Sequence, residues 1–294
     1  MKILNFGSMN LDFFYRVKNI VRPGETISSN SLEVKMGGKG LNQSIALSKN
    51  CDFLYHAGLI GDDGYKLKEI LEENGVDTRF IKKVGERTGN AIIQLEDSGE
   101  NSIVLYPGAN HLVTKEYIDQ VLDEFTGEDY LVIQNEINNI SYIIDKAYEK
   151  GMKIFLNPSP ITKDLLDADL SKVYMFILNK SEGISLCGNK ELIVKSLREK
   201  YPKSKFVLTS GKDGSMYFDK DRLIKQDAYL VDVVDTTGAG DTFTGFFITS
   251  YIKDKDIKKS LKLAALASSL CVMKKGAANA IPSLEEVLDF KEKI

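Results

Sequence analysis

The chain has 294 residues, 43% hydrophobic and 28% charged, enough apolar surface for one large or two small domains and too much for a disordered chain. Its 39 basic and 42 acidic side chains leave a net charge of −3, without the basic excess of a dedicated nucleic-acid binder. His56 and His111 are too few for a polyhistidine metal site, and Cys51, Cys187 and Cys271 stand singly, as expected in a reducing cytoplasm.

Ile3–Phe6 opens the chain as a short apolar run of the buried-strand kind. Asp12 arrives before a signal-peptide core can develop, so no targeting segment is expected. Residues 12–37 carry Phe13, Phe14, Tyr15, Val17 and Val34 with a Pro23-Gly24 turn and no helical period, which predicts extra strands. The string from Gly37 to Gln43 opens a helix to about Lys49, and Phe53–Ala57 predicts the next strand. Leu67, Ile70 and Leu71 share a helical face behind Asp62 and Asp63, with Gly75 as the stop. Residues 88–106 read as a hairpin: Ala91–Leu95, a turn at Asp97-Ser98-Gly99, then Ser102–Tyr106.

Tyr130–Ile133, Lys153–Leu156, Met175–Leu178 and Phe206–Thr209 repeat the buried-strand pattern. Ile140, Ile143, Ile144, Ala147 and Tyr148 form a helical stripe ended by Gly151. Tyr229–Val234 predicts a strand, and Phe243, Phe247 and Tyr251 then recur at helical spacing. Leu263–Met273 is shorter than a membrane span of roughly 20 residues and predicts a buried helix, so no membrane partner is expected. The alternation implies an α/β fold, a mostly parallel sheet flanked by helices on both faces. The two interrupting segments predict a small β-sheet lid; edge extensions of the main sheet are the alternative. With no repeat or linker, 1–294 reads as one domain with lid strands inserted at about 12–37 and 88–107.

The sharpest local signal is Asp235-Thr236-Thr237-Gly238-Ala239-Gly240-Asp241-Thr242-Phe243. Gly238 and Gly240 permit close approach of a ligand, and the helix start behind them presents amide donors and a positive dipole end to a phosphate. A carboxylate beside a phosphate needs a purpose, and Asp241 could take the proton of an attacking hydroxyl. The alternative is a helix N-cap after a flexible loop. Neither G-x-x-x-x-G-K-[ST] nor G-x-G-x-x-G occurs, and Gly37-Gly38-Lys39-Gly40 has the wrong spacing for a P-loop. Asn10, Asp12 and Asn42, with Gly37 and Gly38 beside them, supply donors and acceptors for a polyhydroxylated ligand; taken singly they suit turns and caps equally.

Together these segments resemble the ribokinase-like, or PfkB, family of carbohydrate kinases, over nearly the whole length. One signature lies at Gly37–Gln43 and the other at Asp235–Phe243. Between them, Asn157-Pro158-Ser159-Pro160 is similar to the family's Asn-Pro-Ala-Pro turn. Asn179-Lys180-Ser181-Glu182 matches N-x-x-E, and Thr209-Ser210-Gly211-Lys212-Asp213-Gly214 matches T-x-G-x-x-G.

The resemblance implies that Asp241 is the general base, with Gly238, Ala239 and Gly240 as an anion hole. It implies that Asn179, Thr209, Gly211, Gly214 and Gly240 bind ATP, and that Glu182 organises Mg²⁺ through water. Asn10, Asp12, Gly38, Lys39, Asn42 and Glu136 match the sugar-binding positions of the ribokinase subgroup, which makes ribose, phosphorylated at its 5-hydroxyl, the first expectation. Fructose, 2-keto-3-deoxygluconate or a nucleoside are the alternatives, together with a non-catalytic sensor on the same fold. A phosphosugar would need a basic lid, for which Arg16, Lys18, Arg22 and Lys35 are the available cations. Asp235, Thr237 and Gly276 match the loops that hold a monovalent cation, typically K⁺. Ala280 departs from the pattern, because a serine hydroxyl stands near that position in the subgroup. A homodimer through the lid is also implied.

Overall fold

The computed structural model describes residues 1–293. In chain order the strands are β1 (Ile3–Phe6), β2 (Asn10–Val17), β3 (Ser31–Gly37), β4 (Leu54–Ile60), β5 (Asp77–Lys83), β6 (Gly89–Glu96), β7 (Asn101–Tyr106), β8 (Tyr130–Gln134), β9 (Lys153–Asn157), β10 (Met175–Asn179), β11 (Lys205–Thr209), β12 (Ser215–Phe218) and β13 (Leu223–Gln226). Nine of them form one sheet in the order β13-β12-β11-β10-β9-β8-β1-β4-β5. From β11 to β5 every pairing is parallel, and β12 and β13 add an antiparallel edge.

Alternation along the strands feeds two cores, one on each face. Ile3 and Val132 enter one core, with residues of helices Lys39–Ser48, Ala239–Asp254 and Ile257–Val272. Leu4, Leu131 and Ile133 enter the other, with helices Lys115–Leu122, Ile140–Glu149 and Ile193–Lys200. The expected stripe of Ile140, Ile143, Ile144 and Ala147 is buried, and its helix is followed by Gly151 at φ +81°. Leu67 and Leu71 are buried on helix Tyr65–Glu73, closed by Asn74 and then Gly75 at φ +76°. The apolar run from Leu263 lies in helix Ile257–Val272, whose first turn is capped by Asp256 accepting from the Lys259 N–H at 3.0 Å. No helix among the described residues is long and apolar enough to cross a membrane.

The two interrupting segments form a second, four-stranded sheet, β3-β2-β6-β7, and do not extend the main one. β2 and β6 are parallel; the other two pairings are antiparallel. Gly7–Met9 alone joins β1 to β2, so this lid starts at the carboxyl end of a central strand. β8, β9, β10 and β11 end at that same edge in polar residues: Gln134 lies opposite Asn157, and Asn179 opposite Thr209. Ligands of open α/β sheets bind at this edge.

One expected strand is absent. Tyr229–Val234 is irregular, with Leu230, Val233 and Val234 exposed. Its composition reads as a strand, but no ladder receives it. The Val234 and Asp235 N–H groups both donate to the Val272 carbonyl, at 2.8 and 3.1 Å, which ties the segment to a helix end.

Candidate active site

Asp235–Gly238 turns the chain into helix Ala239–Asp254. Gly238 is the N-cap at φ +77°, and a β-carbon there would meet the Ala277 backbone at 3.0 Å, so this loop packs on the loop around Gly276. The Ala239 N–H is turned back onto the Thr236 carbonyl at 3.3 Å. Gly240 has open space where a side chain would stand.

Asp241 is in the first helical turn and is buried, which places its carboxylate at the favourable end of the helix dipole. It does not act as the N-cap. Its Oδ2 accepts from Asn42 Nδ2 at 3.2 Å, and its Oδ1 accepts from Gln43 Nε2 at 2.9 Å. Both donors sit on helix Lys39–Ser48, almost two hundred residues away in sequence.

On the lid side, Glu136 Oε2 accepts from Ser8 Oγ at 2.5 Å and from the Lys39 N–H at 3.0 Å. Burial pushes its carboxyl above the usual range, with the Lys39 charge opposing. Lys39 is held protonated chiefly by the Asp241 carboxylate, against burial. Asn10 Oδ1 accepts from Asn110 Nδ2 at 2.8 Å, and Asn110 also accepts from the Met9 N–H. Burial first, then the Glu136 charge, push the Asp12 carboxyl up to about 6, with Lys35 pulling it back. Gly37 leaves room for that carboxylate, because a β-carbon there would displace Asp12 Oδ2. Gly38 adopts φ +92° against the Ser8 carbonyl.

Asp12, Gly38, Lys39 and Glu136 line a cavity of about 800 Å³ between the sheet edge and the lid, together with Asn10, Asn42 and Asp241. Asn42 Oδ1 is buried without a protein partner. Of the lid cations, Arg16 and Lys35 line the cavity, and both face carboxylates: Arg16 meets Asp97 at 3.2 Å and Lys35 meets Glu33 at 3.6 Å.

A second cavity, about 240 Å³, shares Lys39, Gly238 and Asp241 with the first and adds Asn157, Asn179 and Glu182. Asn157 Oδ1 is likewise buried and unpartnered. N-x-x-E forms a capping box on helix Lys180–Cys187: Asn179 Oδ1 accepts from the Glu182 N–H, and Glu182 Oε2 accepts from the Asn179 N–H, both at 2.9 Å. A third cavity, about 150 Å³, shares Thr209 and Gly240 with the second and adds Gly211, Gly214, Phe243 and Ser268. Asp241 therefore stands where the lid cavity and the second cavity meet, and the third adjoins the second through Thr209 and Gly240.

Asp235 joins the two loops predicted to hold a cation. Its Oδ1 accepts from the Thr237 N–H and Oγ1 at 2.9 and 2.6 Å, and its Oδ2 from the Gly276 N–H at 2.9 Å. These bonds outweigh burial and hold its pKa below the usual range. Ala280 is buried in a short 3₁₀ turn and offers no side-chain oxygen. Among the described residues, no three His, Cys, Asp or Glu side chains gather as a metal site.

Sequence reasoning missed Ser8, Asn110 and the second-layer amides Asn5 and Gln134. It named Gln43 only as part of a motif. The signal for Gln43 was its place beside Asn42 in a glycine-rich string; Asn110 and Gln134 carry no local signal.

The model for pfkB family carbohydrate kinases matches residues 1–284. A ribokinase of Haemophilus influenzae is 32% identical, with 97% of each chain covered. A deoxyribokinase of Salmonella typhi is 28% identical, covering 99% of this chain and 98% of its own. The solved structure of Arabidopsis thaliana ribokinase complexed with ribose and ATP superposes at a TM-score of 0.85 with 29% identity, covering 98% of each chain. The coincidence of this fold, the two signature loops and the full-length match has one reading: the chain belongs to the pfkB family of carbohydrate kinases.

Proposed function

We propose that this enzyme transfers the terminal phosphoryl group of ATP to the 5-hydroxyl of D-ribose, giving ribose 5-phosphate and ADP. The observation that carries the reading is the position of Asp241, a buried carboxylate held by two amides where the lid cavity meets the second cavity. Asn10, Asp12, Gly38, Lys39, Asn42 and Glu136 would hold the sugar hydroxyls, with the unpartnered Asn42 Oδ1 accepting one of them. Asp241 takes the proton as the hydroxyl attacks phosphorus. Gly238 and Gly240 let the phosphoryl oxygens approach the start of helix Ala239–Asp254. Ala239 contributes there only by releasing Thr236.

Thr209, Gly211 and Gly214 would border the nucleotide, with Asn179 at the phosphates. The half-buried Glu182 carboxylate, held by Asn179 at the edge of the second cavity, suits a Mg²⁺ bound mainly by phosphate oxygens and water. That ion would offset the phosphate charge. Asp235, as a carboxylate beside Gly276, with Thr237 adjoining, fits a monovalent cation such as K⁺, although Ala280 supplies no hydroxyl.

The chain acts as one kinase domain carrying an inserted lid. Val34, Phe13, Ile92 and Val104 form one cross-strand row over all four lid strands, away from the cavity, and suit the lid of a second copy. Free Cys51, Cys187 and Cys271 fit a cytoplasmic location. A phosphosugar is disfavoured because the lid cations over the cavity are already paired.

The deciding experiment is ADP release with ribose, 2-deoxyribose, fructose and fructose 6-phosphate. Ribose should give the highest kcat/KM, and Asp241→Asn should lower kcat by roughly 10²–10⁴-fold. Preference for another sugar removes the ribose assignment; sugar binding without turnover indicates a sensor.

A further inference from the structure

Asp241 is joined to a buried chain of amides. Asn5 Nδ2 spends both protons on helix Lys39–Ser48, donating to the Gly40 carbonyl and to Ser44 Oγ, each at 2.7 Å. Ser44 in turn meets His56 Nδ1 at 2.8 Å. Burial holds His56 neutral, so one of its ring nitrogens carries a proton and the other accepts. Asn5 Oδ1 then faces Gln134, whose Nε2 donates to it at 2.9 Å and to Gln43 Oε1 at 2.7 Å. Gln43 is left with its Nε2 toward Asp241.

The direction of every amide follows from the first. The Gly40 carbonyl can only accept, so the Asn5 amino group must point at it. The Asn5 oxygen then requires the Gln134 amino group, and the second proton of that group requires the Gln43 oxygen. Reversing Gln134 would set its oxygen against two others. The chain keeps its direction even though Gln134 Oε1 is buried without a partner.

We infer that Gln134 and Asn5 are positioning residues that fix the orientation of the Gln43 amide, so that Asp241 always receives a donor and its carboxyl group stays aimed for proton abstraction. The inference rests on the reading of Asp241 as the base. Gln134 acts through Gln43 and makes no contact with Asp241. If it is replaced by an apolar side chain, the Gln43 amide can turn its oxygen to the carboxylate, which favours the protonated acid.

The test is kcat against pH, at saturating sugar and ATP, for wild type, Gln134→Met, Gln43→Glu and Asp241→Asn, with a ¹³C carboxyl titration of Asp241. Gln134→Met should lower kcat roughly 10- to 100-fold with KM for ATP nearly unchanged. The acidic limb of the profile and the carboxyl titration should both rise by about one pH unit. Gln43→Glu, which preserves shape, should raise both further and carries the test if Gln134→Met does not fold. A folded Gln134→Met with wild-type kcat and titration, or an unmoved titration in Gln43→Glu, overturns the inference. Full activity in Asp241→Asn overturns the base assignment instead, and the NMR titration still judges the amide chain.

Discussion

Gly245 and Ala46 bring helices Lys39–Ser48 and Ala239–Asp254 together. A β-carbon at position 245 would lie 2.4 Å from that of Ala46 and 2.7 Å from its carbonyl carbon. This backbone approach is what lets Asn42 and Gln43, on one helix, reach Asp241, on the other. Gly245→Ala should therefore push the helices apart, costing about 1–3 kcal/mol in chemical denaturation. It should also lower kcat of the folded fraction, because the donors leave Asp241. Unchanged stability and kcat would contradict the packing described.

In the proposed sugar site, Asp12 would couple binding to pH. Its carboxyl, pushed up to about 6, loses its charge as pH falls through that value, and with it one acceptor for sugar hydroxyls. Accordingly kcat/KM for the sugar should decline below about pH 6, while KM for ATP does not follow. Asp12→Asn should abolish that limb. Gly37→Ala should mimic its loss by displacing the carboxylate, with sugar KM rising at every pH.

His56 makes stability depend on acid. Burial lowers its pKa from 6.5 to about 3, so the folded protein excludes a proton that the unfolded chain accepts. The folded-state pKa is depressed, so this contribution is present above about 6.5 and is lost as pH falls toward 3. The loss amounts to about 1.4 kcal/mol per pH unit within that window. Denaturation curves at pH 7 and pH 5 should show it in the wild type and show a smaller difference in His56→Gln.

The paired loops at Asp235 and Gly276 predict a monovalent-cation response. Turnover should be faster in K⁺ than in tetramethylammonium, and Ala280→Ser should lower the K⁺ concentration for half-activation. Equal rates in both salts would remove the cation from the scheme.

Much of this was legible in the residue string because its cause is local. Helical stripes such as Ile140, Ile143 and Ile144 follow from a 3.6-residue period, whereas Asn179–Glu182 stands out only as a motif and its capping box is a finding of the structure. Glycines 37, 38 and 238 announce close approach or positive φ wherever they stand. Tyr229–Val234 shows the limit of such reasoning, since β-branched residues make a strand only where a neighbouring edge accepts their hydrogen bonds.

By itself, then, the sequence determined an α/β chain with two glycine loops, a set of polar strand ends and one carboxylate suited to proton transfer. Only the tertiary structure decided what that carboxylate touches. Asn5, Gln134 and Gln43 converge on Asp241 because parallel strands and a helix-to-helix backbone contact gather residues that lie far apart along the chain. Hydrogen-bond direction in a buried network belongs to the whole set of partners, and no single residue type encodes it.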